Sequence, residues 1–134
     1  MGKVKNKAGV VAYRKNSKKN IEVLLVSARK HKNSWVFPLG TVEKNESLKE
    51  AAARECVEES GYIVEVQKKI GSFKHNKKKS ENLFTFYSAT VVDETDDYEK
   101  DRKRIWVELS ELQETVTEFL SEIAEKFINI KLVN

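Results

Sequence analysis

Cysteine and proline each occur once in these 134 residues, as Cys56 and Pro38. A single cysteine excludes an intramolecular disulfide and agrees with a reducing compartment. No histidine lies near Cys56 in sequence, so it reads as a small core residue and not as a nucleophile. No apolar stretch approaches the roughly 18 residues that a membrane-spanning helix needs. The opening residues 1–6 contain no apolar core of the kind a signal peptide carries, and Asn6 stands where a myristoylation signal after Gly2 wants Ser or Thr. Repeats and linker-like segments are also absent. These absences predict one domain over residues 1–134, soluble and cytoplasmic, without a membrane partner. The 25 Lys and Arg exceed the 21 Asp and Glu, for a net charge of +4. That balance admits nucleic acid or a polyanionic small molecule and does not choose between them.

What is present is concentrated between Gly40 and Tyr62. Ser47-Leu48-Lys49-Glu50 has the form of a capping box, with Ser at N-cap and Glu at N3, and Gly61 is a natural helix stop. The spacing predicts a helix over 47–60. On it, Glu55, Glu58 and Glu59 stand three and four residues apart and project from one side. Crowded carboxylates repel by a few tenths of a kcal/mol per pair even when exposed. Arg54 and Lys49 relieve part of this. A cation would relieve the rest, and carboxylate oxygens suit magnesium or manganese, which share their shell with water and substrate phosphates. Upstream, Trp35-Val36-Phe37 is a short apolar run ended by Pro38. Leu39, Gly40 and Thr41 follow as a loop in which glycine lets the backbone approach a ligand.

Elsewhere, residues 8–14 and 21–28 read as strands joined by a polar turn at 17–20. The run from Ile21 to Val26 is apolar nearly throughout, as in a strand buried on both faces. Residues 62–66 and 70–73 read as extended, 74–82 as a basic loop, 83–92 as a central strand and 93–101 as an acidic loop. A short strand at 105–107 and a helical turn at 110–112 follow. Val116, Phe119, Leu120, Ile123 and Phe127 predict one amphipathic helix over 116–128. Trp35 and Trp106 read as packing residues, and Arg102-Lys103-Arg104 as a basic strand edge that discourages edge pairing.

Gly40, Glu46 and Arg54-Glu55-Cys56-Val57-Glu58-Glu59-Ser60-Gly61 stand at the offsets of the Nudix box, which the chain resembles. A chance match is on the order of 10⁻⁸ per starting position at typical residue usage. Cys56 and Tyr62 stand where the box usually has aliphatic residues. The resemblance implies an α/β fold, the Nudix α/β/α sandwich with a mixed sheet between helices. It implies Glu55 and Glu59 as magnesium ligands, with manganese an alternative ion. Glu58 would be a further ligand or the general base on the attacking water. Glu46 and Arg54 would orient the helix and its carboxylates. The reaction would be hydrolysis of a phosphoanhydride.

Outside the box the chain is similar to the diphosphoinositol polyphosphate phosphohydrolases, which also cleave diadenosine polyphosphates. Fragments at 22–27, 30–31, 70–73, 77–79, 92–98 and 102–107 carry that likeness. It implies a polyanion site lined by Lys5, Lys7, Arg29, Lys30, Leu39, Gly40, Thr41 and Lys78. The chain departs from that pattern in Leu39-Gly40-Thr41, where a glycine run is usual, in Ser80, where His is common, and in lacking a clear basic counterpart in its C-terminal helix region. A nucleotide or capped-RNA pyrophosphatase would use the same catalytic face but needs an aromatic clamp for a base. Few aromatics fall in the predicted loops. A non-catalytic basic RNA-binding module has the net charge as its warrant, and the three helix carboxylates argue against it. Absence of a proline downstream of the box argues against ADP-ribose as substrate.

Overall fold

A computed structural model describes residues 4–77 and 80–130. Seven strands, β1 (Val4–Lys15), β2 (Ile21–Ser27), β3 (Trp35–Val36), β4 (Leu39–Thr41), β5 (Tyr62–Lys77), β6 (Ser80–Glu94) and β7 (Arg104–Glu108), form one sheet. Among the described residues three α-helices accompany them, α1 (Leu48–Ser60), α2 (Leu109–Thr115) and α3 (Ser121–Asn129). The sheet is mixed: β1 runs parallel to β6, while β1–β2, β1–β4, β2–β3, β2–β7 and β5–β6 are antiparallel. β1 and β6 lie in the middle, and β4 occupies the N-terminal half of the β1 edge whose other half pairs with β2.

Each face of the sheet carries its own apolar layer. Ala8, Val10, Ala12 and Leu24 meet Ala51, Ala52 and Cys56 of α1 on one side. Val11, Val23, Leu25, Phe37 and Phe86 meet Leu112, Leu120, Ile123 and Phe127 on the other. The expected α/β/α sandwich is therefore present. Val23 to Ser27 are buried throughout, as the unbroken apolar run requires. Trp106 packs edge-on to Tyr62, and the Arg14 guanidinium lies over its ring. Cys56 is buried, and burial pushes its thiol up to about 12, which removes it as a nucleophile near neutral pH.

Several expectations need correction. The first strand begins at Val4, so Lys5 and Lys7 are strand residues and do not precede it. The predicted loop at 39–41 is a short strand on β1, and the predicted extended pieces 62–66 and 70–73 are one long strand interrupted by register shifts. Residues 74–77 and 80–82 pair as a hairpin end and not as a basic loop. Cross-strand hydrogen bonds, together with the parallel pairing of β6 to Val4 and Lys5, override the polar composition there. The single helix over 116–128 is broken. Val116 forms a bridge with Trp35, Thr117 donates its backbone N–H to the Trp35 carbonyl at 2.9 Å, and a 3-10 turn (Glu118–Leu120) precedes α3. Phe119 leaves the core face, 43% exposed, and lies edge-on to Phe73, Phe84 and His75. Among the described residues no helix is long and apolar enough to cross a membrane.

Candidate active site

Helix α1 places the carboxylates. Its capping box is complete: the Ser47 hydroxyl accepts from the Glu50 N–H at 3.1 Å, and the Glu50 carboxylate accepts from the Ser47 N–H at 2.8 Å. At the other end Gly61 adopts φ 80° and donates its N–H to the Val57 carbonyl. A Cβ there would be strained by the left-handed backbone and would press on the Thr95 carbonyl and the Tyr98 ring. The loop after β6 clips this terminus, with Thr95 N–H on the Gly61 carbonyl and Glu99 N–H on the Glu58 carbonyl, at 2.7 and 2.9 Å. The Arg104 guanidinium donates to the Ser60 carbonyl and lies over the Tyr62 and Tyr98 rings. A cation at a helix C-terminus is favourable, so this arginine, on a strand paired only with β2 among the described residues, also caps the helix.

Facing the helix, strand β4 brings its backbone against two of the carboxylates. The Leu39 N–H donates to Glu59 Oε1 at 3.3 Å. A Cβ on Gly40 would collide with the Glu55 carboxylate. The cleft that results, about 570 Å³, is walled by Glu55, Glu59, Leu39, Gly40 and Thr41 together with Lys7, Arg29 and Arg102. Lys7 donates to the Thr41 hydroxyl at 2.7 Å, which fixes its ammonium on the rim. Lys5 and Lys30 are exposed and stand outside that wall. Lys78 lies outside the described residues.

Arg54 organises the acidic side chains. Its guanidinium grips Glu46 with Nε at 2.6 Å and Nη2 at 3.0 Å, donates to the Thr41 carbonyl at 3.0 Å, and reaches Glu55 and Glu58 at 3.2 Å each. The hydrogen bonds from Arg54 hold the Glu46 carboxyl below its usual range, and the same contacts raise the Arg54 pKa further. Glu58 is 47% exposed and shares the Arg54 Nη1 with Glu55, each at 3.2 Å.

Glu59 is 2% exposed. Burial lifts its carboxyl to about 8, Arg102 opposes the rise, and the nearby Glu55 adds to it. Two carboxylates forced together in a buried cleft, against a backbone that has no Cβ in the way, fit a hard oxygen-seeking cation. Among the described residues no three Asp, Glu, His or Cys side chains are gathered closely enough to hold an ion by themselves. Glu55 and Glu59 are thus the pair that could hold one, with phosphate and water completing the shell, as is common for magnesium.

Comparison with known proteins decides the family. The model of the NUDIX domain matches residues 5–127. The chain belongs to the Nudix family. It is similar to Nudix hydrolase 4 of Arabidopsis thaliana, 36% identical over 117 residues, which cover 83% of this chain and 56% of that protein. It is also similar to diphosphoinositol polyphosphate phosphohydrolase 3-beta of Bos taurus, 31% identical over 111 residues, 80% of this chain and 66% of that one. The chain therefore spans between 56% and 66% of the length of these two relatives. Among solved structures, the binary complex of a C. elegans Ap4A hydrolase superposes with a TM-score of 0.71 at 22% identity, covering 92% of this chain and 94% of that one. A NUDIX hydrolase from Nitrosomonas europaea gives a TM-score of 0.74 at 20% identity, covering 93% and 88%. At such identities these two support the Nudix fold.

Two residues at this Nudix site escaped sequence reasoning. Arg102 lies 3.6 Å from Glu59 with 8% of its side chain exposed, and Glu99 pairs with both Arg102 and Arg29. No sequence signal marks them, because the burial of Glu59 that demands a charged partner shows only in the fold. The glycine contact yields a direct prediction. Gly40→Ala should leave the melting temperature within a few degrees yet lower turnover about a hundredfold, because the methyl must displace Glu55 or β4 by roughly an ångström. Unchanged kcat in a folded variant would show that the close approach has no functional part.

Proposed function

We propose that this Nudix chain hydrolyses phosphoanhydride bonds of polyanionic small molecules, with diphosphoinositol polyphosphates and diadenosine polyphosphates as the substrate classes. The observation that carries this reading is the Glu55–Glu59 pair beneath Gly40, with Glu59 fully buried, in a cleft whose walls also carry Lys7 and Arg29. Anion-attracting and cation-attracting groups face one volume, as a metal–phosphate complex requires. The relatives named for diphosphoinositol polyphosphates support the substrate class.

In this reading Glu55 and Glu59 hold magnesium or manganese. The bound ion supplies positive charge to the phosphate oxygens and makes water easier to deprotonate. The chain's own groups do the rest. Lys7, fixed by Thr41, and Arg29 hold phosphate oxygens at the mouth of the cleft. Leu39, Gly40 and Thr41 bring backbone close to the substrate. Glu58, exposed and oriented by Arg54, takes the proton from the attacking water. Glu46 and Arg54 keep the helix carboxylates in place. Lys5, Lys30 and Lys78 extend the field that draws in a large anion.

The test is phosphate release with magnesium from an inositol pyrophosphate, diadenosine penta- and hexaphosphate, capped RNA and an oxidised nucleoside triphosphate. Preference for the inositol compound or the dinucleotides supports the proposal. Preference for capped RNA or the oxidised nucleotide keeps the hydrolase and replaces the substrate class. No release from any of them sinks it. Lys7→Ala should raise KM for the inositol compound by about three- to tenfold at low salt, with kcat little changed and the effect shrinking as salt rises. A KM insensitive to both the substitution and salt would remove Lys7 from the substrate site.

A further inference from the structure

Arg102 is the most deeply buried cation lining the cleft, and its polar partners are protein groups. Nη1 donates to the Ser27 carbonyl at 2.9 Å, Nε pairs with Glu99 at 3.2 Å, and Nη2 faces Glu59 Oε2 at 3.6 Å. Only 8% of the side chain is exposed. The backbone on both sides is pinned as well. Lys103 N–H donates to the Ser27 hydroxyl at 3.0 Å, Ser27 N–H donates to the Lys103 carbonyl at 2.9 Å, and Glu99 N–H reaches the Glu58 carbonyl at 2.9 Å. Strand β2, the loop before β7 and the end of α1 are thereby joined around one guanidinium.

The opposite oxygen of Glu59 accepts from the Leu39 N–H. Glu59 is thus held between a strand amide on one side and a cation on the other. At 3.6 Å, Arg102 is beyond hydrogen-bond distance of Oε2, so it orients the carboxylate by charge and bulk without saturating that oxygen. Glu55, on the same cleft wall, is the other charged neighbour of Glu59.

We propose that Arg102 is a positioning residue for Glu59, anchored by Ser27 and Glu99 so that the Glu59 carboxylate presents Oε2 to the cleft. The inference rests on the metal-dependent reading above and adds a role that lies outside the box. A positioning role and a mere charge neighbour predict opposite signs. A cation beside a metal ligand repels a bound divalent ion, so deleting a neighbour without a positioning function tightens metal binding. Deleting a positioning residue loosens the ligand and weakens binding, typically by 10- to 100-fold.

The experiment titrates the full chain with Mn²⁺, followed by the electron paramagnetic resonance of the free ion, alongside steady-state hydrolysis. Arg102→Met should bind Mn²⁺ about 10- to 100-fold more weakly than wild type, with kcat reduced and KM at saturating metal within about twofold. Arg102→Lys keeps the charge but cannot serve Ser27, Glu99 and Glu59 at once, and should still lose several-fold in Mn²⁺ affinity. Equal or tighter Mn²⁺ binding by a folded Arg102→Met variant overturns the proposal, as does a loss confined to KM, which would make Arg102 a substrate contact. If the methionine variant does not fold, Arg102→Lys decides alone, and wild-type affinity and kcat in it overturn the proposal. Wild-type chain that neither binds Mn²⁺ nor releases phosphate removes the hydrolase reading and this inference together. Active wild type with unaffected variants removes this inference only.

Discussion

Glu59→Gln is expected to abolish phosphate release, on the order of 10³-fold or more, while leaving the fold intact and making the metal-free protein more stable. Glutamine has nearly the same shape, so the space beneath Leu39 stays filled. Its amide oxygen can accept from the Leu39 N–H that Glu59 now engages, and its amide nitrogen can donate to Glu55. What it cannot do is bring a negative charge to a cation. A metal contribution of several kcal/mol to the transition state is then lost, and about 1.4 kcal/mol is a factor of ten in rate. Near-normal kcat in a folded Glu59→Gln variant would sink the metal assignment.

The stability half of that prediction has a sign fixed by linkage. Burial raises the Glu59 carboxyl from 4.5 to about 8 in the folded chain without metal. Between those values the folded state keeps a proton that the unfolded state has shed, so stability falls as pH rises. Its stabilising contribution is complete below about pH 4.5 and gone above about pH 8, with a ceiling on the order of 4 kcal/mol. In chelator, the melting temperature of Glu59→Gln should therefore exceed that of wild type by a margin that widens from pH 5 to pH 8. A constant margin would mean that Glu59 is ionised throughout. Saturating magnesium should then rescue wild type but not the variant, by about 2.7 kcal/mol at a hundredfold excess over Kd. Catalysis and stability are opposed at this one carboxyl, a common condition of active sites.

How far the sequence discloses the site depends on whether the signal is local. Helix α1 was readable to within a residue, because Ser47 and Glu50 cap it through contacts three residues apart and Gly61 ends it through its own backbone. The need for glycine at 40 was readable as a close approach, although its target, Glu55, became known from the fold. The strand character of 74–77 and 80–82 was not readable. Lysine and asparagine there resemble loop composition, and what makes them strand is pairing with residues far away in the chain. The helix break at Val116 was hidden for a similar reason. The apolar spacing 116, 120, 123, 127 suits one helix, but a bridge to Trp35 takes the first of these residues out of it. Arg102 and Glu99 were invisible as site residues, since no spacing rule links them to a helix some 40 positions earlier. Periodicity reports faces, and ion pairs between distant segments leave none.

Arg54→Met should be the most destabilising single change in the site, at about 2–4 kcal/mol, and should lower kcat about 10- to 100-fold. The guanidinium is 24% exposed, so its contacts are partly desolvated and only partly screened. Deleting it strands Glu46, which it grips at 2.6 and 3.0 Å, leaves the Thr41 carbonyl without its donor, and returns Glu55 and Glu58 to mutual repulsion. Breaking a buried pair costs about 3–5 kcal/mol, and partial exposure brings the figure down. Arg54→Lys separates charge from shape. A lysine keeps the positive charge but cannot span Glu46, Thr41, Glu55 and Glu58 from one rigid fork. It should recover less than half of the lost stability and little of the lost kcat. The melting temperature of the methionine variant should fall by on the order of 10 °C, and chemical denaturation should show the loss as a lower midpoint at an unchanged slope. If lysine restores both stability and kcat, charge alone holds the carboxylates. If it restores stability but not kcat, the fork is what sets the Glu55 and Glu58 geometry, and helix and chemistry depend on the same arginine through different contacts.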